Sequence, residues 1–322
     1  MTIKYLTFRP LLKQTIWGGN RIAQLKQMSN APEQVGESWE ISGVAGNESI
    51  VDGGPFDGWT LPAVIAEMKS SLVGQRNYDL YGTEFPLLIK FIDACQPLSI
   101  QVHPNDELAQ KHGGKRGKTE MWYIMPSTSG ATLYSGLSRQ IDAEQYKKLI
   151  EQHDITSALA LHHVSEGNAF FIPAGRIHSI GAGCMILEIQ QTCDLTYRIY
   201  DFDRRDKNGQ LRELHTQLAS ECIDYHVYPD YRVHYKPVTN QPTVIVDCPF
   251  FTTSFLNVDG STTIDFSRFD SFVILMAVKG EGALTIDGEP LCIKAGQTLL
   301  LPATAQQVGL QGRMTLLYAQ NR

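Results

Sequence analysis

Residues 166–183 read Glu166-Gly-Asn-Ala-Phe-Phe-Ile-Pro173-Ala-Gly175-Arg-Ile-His178-Ser-Ile-Gly-Ala-Gly183. Two apolar runs flank a Pro-x-Gly turn, which is the signature of strand, turn and strand. The turn delivers His178 into the second run. Upstream, Leu98-Ser-Ile-Gln-Val-His-Pro104 alternates with period 2. On a strand that spacing places Ser99, Gln101 and His103 on one face, and Ile100 and Val102 on the other. Glu120 stands just before the apolar run Met121-Trp-Tyr-Ile124, at the mouth of a further strand. Two imidazoles, a carboxylate and an amide oxygen on neighbouring strands can hold one divalent ion and leave positions for substrate. The chain therefore reads as a metalloenzyme with its site inside a β-barrel. The competing reading of each histidine is a hydrogen-bonded core residue.

The whole-chain properties agree with an enzyme of that kind. At 322 residues and 43 % hydrophobic content the chain can bury a substantial core. Its net charge of −6 and scattered basic residues give no footing for nucleic acid or an anionic membrane. No apolar stretch approaches the roughly 18–20 residues that span a bilayer, and the N-terminus lacks the apolar core and cleavage site of a signal peptide. The six cysteines (Cys95, Cys184, Cys193, Cys222, Cys248, Cys292) form no Cys-x-x-Cys pair and read as reduced thiols of a cytoplasmic protein.

Along the chain, helices are expected over Asn20–Met28, from Thr60 through Val73 to Gly74, and after Asn105. A further helix runs from Asp142 to His153, with Asp142 as cap, Gln145 at its third position and Tyr146, Leu149 and Ile150 on its apolar side. Leu211 to Asn240 shows no periodicity and reads as a linker packed across the barrel. From Thr243 onward the pattern is strands separated by turns such as Ile286-Asp-Gly and Lys294-Ala-Gly. There the phrase Gly296…Pro302-Ala-Thr304-Ala-Gln-Gln307 repeats the spacing of Gly167…Pro173-Ala-Gly175-Arg-Ile-His178, with Gln307 in the place of the histidine. The Pro173–His178 phrase resembles a signature of cupin barrels, and the organisation this implies is a mainly β bicupin, two jelly-roll-like barrels with helices inserted in and around the first. Residues 1–240 form the metal-binding catalytic domain, and residues 241–322 a degenerate, metal-free copy with a filled interior.

The phrase around Pro173, Gly175 and His178 resembles the second signature of cupin barrels. Together with Phe85–Glu120 (FPLLIKFIDACQPLSIQVHPND…GKTE) and Phe171–Asp203 (FIPAGRIHSIGAGCMILEIQQTCDLTYRIYDFD), it resembles the short bacterial form of type I mannose-6-phosphate isomerases. The pieces Pro10-Leu-Leu-Lys13, Trp17-Gly-Gly19 and Gly36-Glu-Ser-Trp39 are similar to that family's opening. The resemblance implies zinc, one ion per chain, on Gln101, His103, Glu120 and His178, and an active-site arginine at Arg198. It also implies substrate-site lysines at Lys90 and Lys118 and an acidic neighbour at Asp194. Longer members carry a histidine where this chain has Gly117.

Aldose–ketose isomerisation through a cis-enediol needs an electrophile, a proton carrier and a phosphate anchor. On this reading Arg198 stabilises enediolate charge, and Lys118, its pKa lowered by the ion, or Asp194 moves the proton. Lys90, with Ser99 beside the ligands, meets the phosphate. Alternatives for these groups are an edge lysine reaching solvent at Lys90, a loop charge at Lys118, and a structural ion pair between Asp194 and Arg198. The expected partner is a small sugar phosphate, and the expected state a monomer or weak homodimer. A non-haem iron oxygenase, an isomerase of other specificity and a non-catalytic sugar-phosphate-binding bicupin remain as alternative classes.

Overall fold

The computed structural model describes residues 3–205 and 208–322. Its first half is built on two facing antiparallel sheets. The larger has seven strands in the spatial order Arg232–Val233, Ala169–Ile172, Glu120–Ile124, Met185–Gln191, Leu87–Asp93, Val35–Ile41 and Leu11–Gly19. The smaller has five, in the order Tyr197–Tyr200, Ile100–Val102, His178–Ile180, Thr132–Leu137 and Leu159–His163. The expected jelly-roll-like barrel takes the form of a β-sandwich: among the described residues no ladder joins the two sheets into a ring.

The larger sheet is covered on both faces, so its strands are nearly continuous apolar runs instead of alternating ones. Every residue of Leu87–Asp93, Glu120–Ile124 and Met185–Gln191 is buried. On one face Ile89, Phe91, Met121, Tyr123, Leu187 and Ile189 join a core with Phe272, Ile274, Met276 and Leu317 of the C-terminal half. Phe85 and Phe272 meet across it with ring centroids 4.5 Å apart. On the other face Ile92, Trp122, Ile124 and Ile186 pack against Leu98, Leu133 and Ile180 of the smaller sheet.

The C-terminal half is one six-stranded sheet with two 15-residue strands, Phe251–Asp265 and Gln307–Asn321, paired along their length. Alternation in Val273–Ile286 sends Val273, Leu275 and Ala277 into this half's own core and Ile274, Met276 and Val278 into the shared one. The interior is filled by side chains such as Leu256, Phe266, Leu284 and Leu316. Gln307 does not occupy a ligand position inside it. It is exposed at the start of its strand, opposite Asp265, and the inward residue is Val308.

The helix expected from Thr60 to Gly74 is interrupted. Leu61–Met68 ends at Lys69, whose φ of 54° lies in the left-handed region, and Ser70–Val73 starts afresh. Asn20–Met28 contains a shorter helix, Arg21–Leu25. The helix Ala143–Glu151 carries a full capping box, Asp142 accepting from Gln145 N–H and the Gln145 side chain accepting from Asp142 N–H. The aperiodic stretch 211–240 does cross the first half, but it contains the helix Thr216–Cys222 and the edge strand Arg232–Val233. No helix among the described residues is long and apolar enough to cross a membrane.

The shared core predicts one cooperative unit. Ile274→Ala should cost about 2–5 kcal/mol. All four tryptophans, Trp17, Trp39, Trp59 and Trp122, lie in the first half, so urea unfolding followed by their fluorescence should show the lowered midpoint. A tryptophan transition unmoved by Ile274→Ala would mean that the halves unfold independently.

Candidate metal centre and active-site cavity

The two sheets of the first half each supply part of one cluster. On the smaller sheet Arg198, Gln101 and His178 are cross-strand neighbours in a single row. His103 follows the strand Ile100–Val102. On the larger sheet Trp122, Glu188, Lys90 and Trp39 form a second row across four strands, and Glu120 opens the strand beside it. The polar interruptions in otherwise apolar strands all point into the same gap.

His103, Glu120 and His178 are buried, and each can present one ligand atom within 4.8 Å of the others. His103 Nδ1 lies 3.0 Å from the carbonyl of Leu195, and His178 Nδ1 lies 2.8 Å from the carbonyl of Arg176. A carbonyl only accepts, so both Nδ1 atoms donate and both Nε2 atoms present lone pairs, that of His103 unpartnered and that of His178 facing the Gln101 amide nitrogen. Those Nε2 atoms lie 3.6 Å and 3.5 Å from the two Glu120 oxygens. Burial is the largest influence on both rings. It takes His103 well below the usual imidazole range and His178 down to about 3, so both are neutral, as ligation requires. The amide of Gln101 stands 3.2 Å from His178 Nε2 through its nitrogen, and its oxygen lies 3.3 Å from Ser99 Oγ. A half-turn of the amide would present the oxygen to the centre.

The fit to a divalent ion rests on what these atoms lack. His103 Nε2 and Glu120 Oε1 are buried with no hydrogen-bond partner. Orphaned buried acceptors are costly unless something else satisfies them, and two imidazoles with a carboxylate are a suitable donor set.

Four further charges surround the trio. Lys118 Nζ lies 3.0 Å from Glu120 Oε2. Lys90 Nζ lies 3.4 Å from Glu37 and 3.5 Å from Glu188, over the face of Trp39 at 4.8 Å. Trp122 Nε1 donates to Glu188 Oε2 at 2.9 Å, and its ring meets His178 edge-on at 5.3 Å. Burial acts to lower Lys118, but the Glu120 and Glu188 charges outweigh it and hold the ammonium above its ordinary value. Burial likewise acts to lower Lys90, and Glu37 and Glu188 reverse the effect. Glu120 is raised by burial and by the neighbouring Glu188. Glu188 is driven up by burial but brought down overall by Lys118 and Lys90.

A cavity of about 410 Å³ opens beside this cluster. Lys90, Ser99, Gln101, Lys118, Asp194 and Arg198 all line it, so every sequence-predicted site residue either lines the cavity or belongs to the buried trio behind it. The edge-lysine and loop-charge readings fail, because Lys90 is 3 % and Lys118 5 % exposed. The ion pair between Asp194 and Arg198 is absent among the described residues. Arg198 instead donates to the carbonyl of Glu213 at 2.8 Å, and its buried Nε has no partner. His162 and His163 sit at the end of the strand Leu159–His163, away from the trio.

Three charged lining residues are not among those expected from the sequence: Glu37, Glu188 and Arg212. Glu188 interrupts Met185-Ile-Leu-Glu-Ile just as Lys90 interrupts its own run, so the signal was present. Arg212 lies in the aperiodic stretch and carried none. Gly117 also has a structural role. A Cβ there would stand 2.4 Å from the backbone of Asn105, so the histidine of longer relatives has no room at this position.

A family model for the phosphomannose isomerase type I catalytic domain matches residues 6–159, and one for the mannose-6-phosphate isomerase cupin domain matches residues 241–321. The chain is 35 % identical over 316 residues to a mannose-6-phosphate isomerase of Bacillus subtilis, covering 97 % of each chain. It is 32 % identical over 320 residues to that of Streptococcus mutans, covering 95 % of each. The crystal structure of mannose 6-phosphate isomerase from Bacillus subtilis superposes with a TM-score of 0.89 at 28 % identity, over 98 % of this chain and 99 % of that one. A putative mannosephosphate isomerase from Archaeoglobus fulgidus shares the fold with a TM-score of 0.80 at 20 % identity, over 99 % and 98 %. Likeness along the whole length, with the buried His–Glu–His cluster where the first half's sheets face each other, places the chain in the type I phosphomannose isomerase family of cupin aldose–ketose isomerases.

Proposed function

We infer that this chain interconverts mannose-6-phosphate and fructose-6-phosphate at the cavity beside His103, Glu120 and His178. The observation that carries the reading is the buried, under-bonded His–Glu–His trio next to a cavity lined by lysines and an arginine. We take the ion to be zinc, one per chain, held by these three residues and the Gln101 oxygen. Bound there, zinc supplies a Lewis acid for the sugar's C1 and C2 oxygens.

The chain's own residues divide the remaining work. Arg198, beside Gln101 and with an unpaired buried Nε, is a fixed donor for the developing enediolate. Lys118, held charged by its carboxylates, donates a hydrogen bond or proton to a sugar oxygen. The proton exchanged between C1 and C2 falls to a carboxylate. Asp194 and Glu188 both line the cavity, and Glu188 Oε1 is buried without a hydrogen-bond partner. Lys90 and Ser99 contact the substrate, but Lys90 is already neutralised by Glu37 and Glu188, so a phosphate dianion beside it would meet two carboxylates. Arg212 shares Asp201 with Arg204, two guanidiniums on one carboxylate. That surplus positive charge makes the Arg212 side of the cavity the better phosphate anchor, with Lys90 and Ser99 binding hydroxyls. We assign catalysis to residues 1–240 and a supporting role to residues 241–322. The six unpaired cysteines favour a cytoplasmic site of action.

A coupled assay for fructose-6-phosphate formed from mannose-6-phosphate tests the reaction; no turnover in zinc-loaded protein would refute it. Arg198→Ala should leave zinc bound and lower kcat on the order of 10²–10³-fold. Arg212→Ala should raise KM with little change in kcat, the mark of an interaction made equally in ground and transition states. Free mannose turned over as efficiently as its 6-phosphate would remove the anchor. His178→Ala should abolish zinc binding and activity together, and full zinc occupancy in that variant would contradict the ligand set.

A further inference from the structure

The stretch that crosses the outside of the first half grips the turn carrying His178. Arg176 is only 8 % exposed, and its guanidinium lies in the corner formed by the rings of Tyr228 and Tyr231, 4.7 Å and 4.6 Å from their centroids, the two rings standing 5.8 Å apart at 68° to each other. The Tyr231 hydroxyl donates to the Leu137 carbonyl at 2.8 Å and accepts from the N–H groups of Leu137 and Tyr228, each at 3.1 Å. Tyr228 donates to Asp224 at 2.9 Å. Asp224 N–H donates to the Gly175 carbonyl at 2.8 Å, fastening the same turn from its other side. The carbonyl of Arg176 receives His178 Nδ1–H at 2.8 Å. The ring's direction therefore depends on where the Arg176 backbone sits, and that backbone is held by a side chain packed against two tyrosines distant in sequence.

We propose that the Tyr228–Arg176–Tyr231 cluster is a positioning device for the metal centre, fixing His178 so that its Nε2 faces His103 and Glu120. The inference rests on the metal centre assigned above. A guanidinium seated in the corner of two steeply inclined rings is held from two directions, within cation–π distance of both. Groups that orient a ligating histidine typically change metal affinity by 10–100-fold when removed.

The test measures the zinc dissociation constant of the full chain by competition with a chromophoric chelator, alongside the urea unfolding midpoint of the zinc-free protein. Tyr228 is 38 % exposed, so Tyr228→Ala removes one wall of the corner with little cost to the core. Arg176→Met and Tyr228→Ala should each weaken zinc binding by about tenfold or more. Tyr228→Phe, which keeps the ring, should retain wild-type affinity. The double variant should be no weaker than the weaker single one, because both changes break one device. Unchanged zinc affinity in Tyr228→Ala, with only a lower unfolding midpoint, would overturn the proposal by showing the cluster to be structural. Wild-type protein that binds no zinc would instead remove the metal centre itself, a separate failure.

Discussion

Glu120 is a carboxylate with no solvent exposure, lodged between two sheets whose facing surfaces are otherwise largely apolar. Burying an ion this way costs several kcal/mol unless charge and hydrogen bonds compensate, and the surrounding structure is arranged around that cost. Lys118 stands against one oxygen, and two neutral imidazoles turn lone pairs toward the group. The second carboxylate, Glu188, is held ionised by Lys118 and Lys90, and Lys90 is in turn held by Glu37 and the face of Trp39. No member of this chain of charges is satisfied alone. A divalent ion would complete it by taking the lone pairs that the protein leaves unmatched.

The position of the cluster follows from how the larger sheet is covered. One face is sealed by the C-terminal half, the other by the smaller sheet, and only the second faces a gap wide enough for a substrate. The C-terminal half contributes no residue to the cavity lining. It packs against the apolar back of the strands that carry Lys90, Glu120 and Glu188.

Much of this was legible in the sequence because period-2 alternation is a strong signal wherever one face of a strand is polar. Gln101 and His103 were readable on that ground, His178 from its turn, and Lys90 from its intrusion into an apolar run. Glu188 intrudes into its apolar run in the same way, but the lysines that it meets are set by cross-strand pairing and not by sequence spacing. The charge state of Lys118 was not legible, since it depends on carboxylates brought together only by cross-strand pairing. Gln307 shares the spacing of His178 but not its setting. His178 lies between two neighbouring strands, against Gln101 and Ser135, whereas Gln307 lies at an exposed strand end. The break at Lys69 had no sequence signal, because a left-handed lysine is set by tertiary packing against its intrinsic preference. The hold on Arg176 was invisible for a different reason: it joins a turn to an aperiodic stretch about fifty residues away.

The central claim is that one divalent ion sits between the two sheets on His103, Glu120 and His178. A crystal of the zinc-loaded protein, with anomalous diffraction recorded on both sides of the zinc edge, tests it most directly. The account predicts a single strong peak within bonding distance of His103 Nε2, His178 Nε2 and a Glu120 oxygen, with the Gln101 amide oxygen turned toward it. A peak elsewhere, or full zinc occupancy with these three side chains still unligated, would contradict it.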